Sequence, residues 1–149
     1  MGHYAREGRL IMINSRDLAK LRPRTAAKAQ VMQNACKDAG LPILIYSTLR
    51  DAEAQDAEYA KGRSLPGKVV TNAKGGDSFH QYGVAFDFVP LVGGVPAWND
   101  LIRYEACAAI GKKLDLEWGG DFKSFPDRPH MQDTLGFSVA EYKAGKVRQ

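Results

Sequence analysis

Apolar and polar positions change their period several times along the chain, and each change marks an element. From Pro23 to Asp38 the apolar set Ala27, Val31, Ala35 and Ala39 recurs at every fourth position with Met32 and Cys36 alongside, which predicts an amphipathic helix closed by Gly40. Ahead of it, Ser15 precedes Asp17-Leu18-Ala19-Lys20-Leu21, a short helical turn that Pro23 ends. Leu41 to Tyr46 is short and rich in branched residues, the pattern of a buried strand. Thr48-Leu49-Arg50-Asp51 has the form of a capping box and predicts a second helix running to Ala60 and closing at Gly62. Phe79 to Pro90 reads as a second strand, Gly93-Gly94 as a tight turn, and Val95 to Trp98 as the return arm of a hairpin. Asn99 is placed to cap a third helix with Leu101, Tyr104, Ala108 and Leu114 on its apolar face. Trp118-Gly119-Gly120 opens a glycine-rich segment that ends at His130-Met131-Gln132, and Ser138-Val139-Ala140-Glu141 is a capping box for a terminal helix. Helices and isolated strands in this order predict an α+β fold, a small antiparallel sheet flanked by helices, rather than a regular βαβ alternation.

One passage has no period. Residues 63–78 are rich in Gly, Pro and Asn and exceed the usual loop length, so they are expected to bind substrate and to border the chemistry. A length of 149 residues predicts one domain, 1–149, large enough to fold without disulfides. A second methionine, Met12, stands just before Ile13-Asn14-Ser15, which marks residues 1–14 as an extension of little structural weight. The first residues carry charges but no apolar core ending in a cleavage site, so no secretory signal is expected. No apolar run approaches the roughly 18 residues of a membrane span, so no membrane insertion is expected.

Composition narrows the classes further. Lys and Arg total 21 against 17 Asp and Glu, a net charge of +4. The excess is scattered, without runs of like charge or a basic aromatic face, which argues against a nucleic-acid partner and remains compatible with an anionic polymer such as a cell envelope. Cys36 and Cys107 each lie among alanines, outside any zinc-ligand or Cys-x-x-Cys spacing, and read as small buried hydrophobes.

Two of the three histidines occupy unusual segments. His80 ends the long loop, Asp87 lies within the strand that follows, and His130 closes Asp127-Arg128-Pro129-His130. Two imidazoles and a carboxylate make a facial set for a catalytic zinc with the fourth position open to water. Asp127, three residues before a ligand candidate, is placed to move a proton between water and a leaving amine. Taken alone, a histidine in a strand or a carboxylate at a sheet edge is usually an ordinary hydrogen-bonding group. Asp87 is harder to read that way. Every neighbour in Val84-Ala85-Phe86-Asp87-Phe88-Val89 is apolar, and an unpaired buried carboxylate there would cost several kcal/mol, so it needs a cation.

Ser78-x-His80-x-x-Gly83-x-Ala85-x-Asp87 followed by Asp127-x-Pro129-His130 resembles the zinc peptidases grouped with D-Ala-D-Ala carboxypeptidases, most closely their phage branch, the L-alanyl-D-glutamate endopeptidase endolysins. The resemblance runs from about Tyr46 to Gln132. Ser47 to Gln55 is similar to the family's arginine-bearing segment, Tyr59 to Ser64 and Pro66 to Thr71 to its following loop, and Trp118 to Phe122 to its glycine-rich strand. This branch carries Asp127 where the vancomycin-resistance dipeptidases carry Glu, and Phe79-His80-Gln81-Tyr82 departs from the family's usual small or Asn-containing filling. The resemblance implies one zinc per chain, carried on the small sheet by His80, Asp87 and His130, with Asp127 as the acid/base.

Further roles follow from the same resemblance. Arg50 is expected to polarise the scissile carbonyl or stabilise the oxyanion. Ser78 would orient substrate or the metal's surroundings, Tyr82 would line the cleft, Gly76 would let a peptide approach the backbone, and Trp118 would line the cleft or pack in the core. The partner is the stem peptide of bacterial peptidoglycan, met by a monomer that is made in the host bacterial cytoplasm and reaches the wall on release. The competing readings are a D,D-carboxypeptidase releasing terminal D-Ala, whose substrate carboxylate would need a cation such as Arg50, and a zinc-containing wall-binding module without catalysis, which would need neither Asp127 nor Arg50.

Overall fold

The computed structural model describes residues 3–4 and 10–147. β1 (His3–Tyr4) and β2 (Leu10–Ile11) pair as an antiparallel ribbon. Of the expected extension, residues 1, 2 and 5–9 lie outside the described residues. Its last two residues are tied to the fold: the Ile13 amide donates to Asp51 Oδ2 at 2.9 Å, and Ser47 Oγ donates to Asn14 Oδ1 at 2.7 Å.

Helix α1 (Pro23–Asp38) has the predicted bounds and begins on Pro at its first position. Gly40, at φ +75°, ends it as predicted: its amide bonds to the Lys37 carbonyl at 3.1 Å and the Leu41 amide to that of Cys36 at 2.8 Å, the paired bonds of a Schellman cap. The buried face, however, is Thr25, Ala29, Met32 and Cys36 rather than the expected row of Ala27, Val31, Ala35 and Ala39. A strict i+4 row rotates by about 40° per step around a 3.6-residue helix, so it leaves the core side within three turns, whereas 4-3-4 spacing stays on it. Val31 accordingly stands 49% exposed.

β3 (Ile43–Ser47) leads to α2 (Ala52–Ala60), whose cap is Asp51, accepting from the Ala54 amide at 2.8 Å. Thr48, the expected cap, is buried, and its hydroxyl bonds the Ser15 and Asp17 carbonyls instead. Residues 79–82 form a 3-10 turn rather than the start of a strand. Ser78 Oγ accepts from the turn while Gln81 Oε1 accepts from the Ser78 amide at 3.0 Å, and Gly83, at φ +71°, reverses the chain into β4 (Ala85–Val92). β4 is buried from Ala85 to Pro90 on both faces, so it reads as a continuous apolar run. The hairpin to β5 (Val95–Pro96) turns on Gly93 and Gly94, whose φ values of +59° and +78° suit a two-residue primed turn.

α3 (Leu101–Lys112) is capped by Asp100, not Asn99, and buries Tyr104, Cys107, Ala108 and Gly111, leaving Leu101 outside. β6 (Glu117–Trp118), β7 (His130–Gln132) and α4 (Val139–Lys143) complete the chain, α4 with the predicted Ser138/Glu141 capping box. The main sheet has five strands, ordered β3-β4-β7-β6 with β5 on β4, and every pairing is antiparallel. The fold is therefore the expected α+β arrangement.

Alternation along the strands separates core from site. Phe86, Met131 and Trp118 are register partners across β4, β7 and β6 and join Phe88 in the core against Met32 and Cys36 of α1 and Tyr104 and Cys107 of α3. Asp87 and His130 are the adjacent register pair, so their side chains point from the other face. Both cysteines are free and fully buried, as expected.

Candidate metal centre and catalytic cleft

Three elements converge on one point. His80 comes from the 3-10 turn, Asp87 from β4 and His130 from β7, and one ligand atom of each lies within 4.8 Å of the others. Asp87 Oδ1 is 3.2 Å from His80 Nε2 and 3.6 Å from His130 Nδ1. The second nitrogen of each ring is already engaged: His80 Nδ1 lies 2.8 Å from the Thr48 carbonyl, and His130 Nε2 lies 2.7 Å from Gln132 Oε1. An oxygen at that position requires the proton there, which leaves the nitrogen facing Asp87 with a free lone pair. The donor set thus fits a zinc ion, with two neutral imidazoles, one carboxylate and outer partners that fix both tautomers.

Asp87's other oxygen, Oδ2, accepts from Arg50 Nη2 at 3.0 Å. Arg50 also donates to Ser47 Oγ at 3.1 Å and, through Nη1, to Gln55 Oε1 at 2.8 Å. Gln55 is itself buried and passes its amide to the Ala73 carbonyl at 2.8 Å, which anchors the long loop. Burial opposes ionisation of Asp87, but positive charge between the carboxylate and the two rings, carried by protons on the inner ring nitrogens or by a metal cation in their place, outweighs it and holds the carboxyl well below the usual carboxylate range.

Asp127 borders the same cleft, which encloses about 860 Å³ and is lined among others by Tyr46, Thr71, Ser78, Phe122 and Phe125. Burial and then the charge of Asp87 push its carboxyl above the ordinary range, against the pull of His130, His80 and Arg50. Its place is set by backbone contacts: the Asp127 amide donates to the Gly119 carbonyl at 2.8 Å and its own carbonyl accepts from the His130 amide at 3.2 Å. Gly119 has to be glycine, since a Cβ there would lie 2.2 Å from the Asp127 carbonyl oxygen. Trp118 packs in the core and donates from Nε1 to the Arg128 carbonyl at 2.7 Å, bracing the same turn.

The structure brings His80, Asp87, His130, Asp127 and Arg50 together and places Ser78 in the cleft wall, where its hydroxyl accepts from the His80 amide at 3.3 Å. Tyr82 and Gly76 lie apart from these. The Tyr82 ring packs beside Tyr142 in a small cluster, and its hydroxyl donates to the Gly76 carbonyl at 2.6 Å. The apolar body of Tyr82 is needed under α4, and the pair ties down the loop behind the cleft rather than facing into it.

Several residues around the metal centre were not singled out from the sequence. Gln132 lies two positions after His130 on one strand, and that period-2 spacing was a readable signal. Gln81 was legible as the partner of a Ser-x-x-Gln capping box. Gln55 and Tyr46 carried no such signal, and Thr48 carried one only for a helix cap, because their roles at the site depend on which distant segments fold against them.

Comparison with known proteins places the chain in a family. The D-alanyl-D-alanine carboxypeptidase family matches residues 71–133. The chain is 34% identical over 121 residues to the peptidoglycan L-alanyl-D-glutamate endopeptidase CwlK of Bacillus subtilis, covering 75% of this chain and 72% of that one. It is also 34% identical over 145 residues to the L-alanyl-D-glutamate peptidase of Listeria phage A118, covering 89% of this chain and 48% of that protein. The crystal structure of the L-Ala D-Glu endopeptidase ChiX of Serratia marcescens shares the fold, with a TM-score of 0.62 at 23% identity, over 83% of this chain and 90% of that one. The chain belongs to the D-alanyl-D-alanine carboxypeptidase-like family of zinc metallopeptidases.

Proposed function

We propose that this chain is a peptidoglycan-degrading zinc endopeptidase that hydrolyses the amide between L-Ala and D-Glu of the stem peptide. The observation that carries the reading is the His80-Asp87-His130 centre, with both outer ring nitrogens engaged and Asp127 in the wall of the same cleft. One zinc per chain would be held by His80, Asp87 and His130, whose ligand atoms converge here.

When bound, zinc supplies a Lewis acid that polarises a carbonyl and brings the pKa of water to about 7. The protein's own residues manage the protons and the geometry. Asp127 accepts a proton from the attacking water and returns it to the leaving amide nitrogen, and its raised affinity for protons suits it to both halves of that transfer. Arg50 was expected on the oxyanion, but its Nη1 and Nη2 donate to Gln55, Ser47 and Asp87 and its Nε is buried with no hydrogen-bond partner, so it acts as a positioning residue that keeps Asp87 Oδ1 turned toward the histidines. Ser78 acts in the same indirect way, through the turn that carries His80.

The same observation weighs against a carboxypeptidase. Among the described residues lining the cleft, Arg50 is the one Lys or Arg, and its engagement leaves no free cation for a terminal carboxylate. Mass spectrometry of purified peptidoglycan digested with the zinc-loaded protein tests the bond. Fragments with a new D-Glu amino terminus and L-Ala retained on the glycan are expected; free D-Ala as the sole product overturns it.

A further inference from the structure

The bond proposed above sits close to a sugar. L-Ala is the first residue of the stem, joined to the lactyl group of the muramyl ring, so cleavage on its carboxyl side places a pyranose within one residue of the metal centre. The cleft wall on that account needs a sugar-binding surface nearby, and the catalytic residues do not supply one. Tyr46, which lines the cleft, packs its ring against Trp98 in a T-shaped contact with centroids 5.2 Å apart and planes at 76°. Trp98 follows β5 and is 53% exposed, and Val92 and Val95 of the hairpin and Leu101 and Ile102 of α3, near it in sequence, are exposed as well. Single exposed apolar side chains are ordinary, but five fall within residues 92–102, and one of them, Trp98, meets the cleft through Tyr46.

We infer that Trp98 is a stacking platform for the pyranose ring of the glycan strand, an inference that rests on the proposed L-Ala/D-Glu specificity. A pyranose presents an apolar C–H face with its hydroxyls around the rim. An indole ring offers a large apolar area and an electron-rich face to polarised C–H groups, and its two side-chain torsions cost little to fix. The Tyr46 contact holds the ring before substrate arrives, which lowers the cost of ordering it. Asn99, exposed and adjacent in sequence, supplies an amide for the hydroxyl or acetamido groups at the sugar rim.

The test compares two substrates, a disaccharide-tetrapeptide and the same tetrapeptide without sugar, in the parent protein, Trp98→Ala and Trp98→Phe, each zinc-loaded and checked by thermal melting. The readout is the ratio of kcat/KM on the two substrates. The parent should prefer the glycosylated substrate, Trp98→Ala should lower the ratio by about tenfold, and Trp98→Phe should retain most of it. A second readout uses the two tryptophans of the chain, of which Trp118 is buried: the disaccharide-tetrapeptide should shift the emission of the zinc-free parent to the blue, and the free peptide should not. An equal ratio in all three proteins overturns the platform and leaves the peptidase reading intact. Cleavage of neither substrate by the parent overturns the peptidase reading itself. A dimer in sedimentation that Trp98→Ala dissociates, with the ratio unchanged, assigns the patch to a second copy of the chain and overturns the sugar.

Discussion

Arg50 and Asp87 meet through one ion pair, Nη2 to Oδ2 at 3.0 Å, which turns the opposite oxygen of Asp87 toward two histidines. The two side chains stand 37 positions apart in sequence, and both are nearly buried. The pair therefore decides which way the carboxylate faces, and its planar fork, bonded at once to Ser47 and Gln55, cannot be copied by an ammonium. Arg50→Lys should fold but bind zinc roughly 10–100-fold more weakly, as outer partners of metal ligands generally do when lost. Competition against a chromogenic chelator measures this, and parent-like affinity counts against the positioning role.

Removing a ligand should remove the metal. His80→Ala, Asp87→Ala and His130→Ala are each expected to purify with little zinc where the parent carries one per chain. Elemental analysis with full zinc in all three variants would defeat the ligand assignment.

Asp127 is proposed to move protons without holding the metal, so Asp127→Asn should keep zinc content and melting temperature while kcat falls by about 10²–10⁴-fold. Turnover within a few fold of the parent in the zinc-loaded variant would exclude the acid/base role.

Gly119→Ala separates backbone placement from side-chain chemistry. A Cβ at this position would lie 2.2 Å from the Asp127 carbonyl oxygen and 2.8 Å from His130 Cβ, so the turn that carries both residues must shift. Overpacking of this kind costs roughly 1–3 kcal/mol, or a fall in Tm of about 2–12 °C for a domain of this size. Activity should fall with it. Parent-like Tm and turnover would show that the turn tolerates the displacement.

Zinc should also stabilise the fold, because the three ligands are brought together only in the native state. At a free zinc concentration a hundredfold above its dissociation constant the gain is about 2.7 kcal/mol, a rise in Tm of roughly 5–11 °C. Chelation should reverse it, and a Tm indifferent to both zinc and chelator would argue against the site.

Local signals alone determined a good part of this protein. The bounds of α1, its Schellman end at Gly40, the Gly93-Gly94 hairpin and the Ser138 cap of α4 were all legible, because caps and tight turns are satisfied by residues a few positions apart. The resemblance likewise named His80, Asp87, His130 and Asp127 together, and the fold brings them to one cleft. Where two local solutions competed, the tertiary structure chose. Thr48 and Asp51 could each cap α2, and Thr48 was withdrawn because its hydroxyl is taken by carbonyls of residues 15 and 17. The buried face of α1 was settled by Met32 and Cys36 meeting the sheet, since small alanines on two faces specify neither. Tyr82 lies behind the cleft and Arg50 on Asp87 for the same reason. A side chain's direction depends on which distant backbone packs against it, and that information is absent from the spacing of its neighbours in the chain.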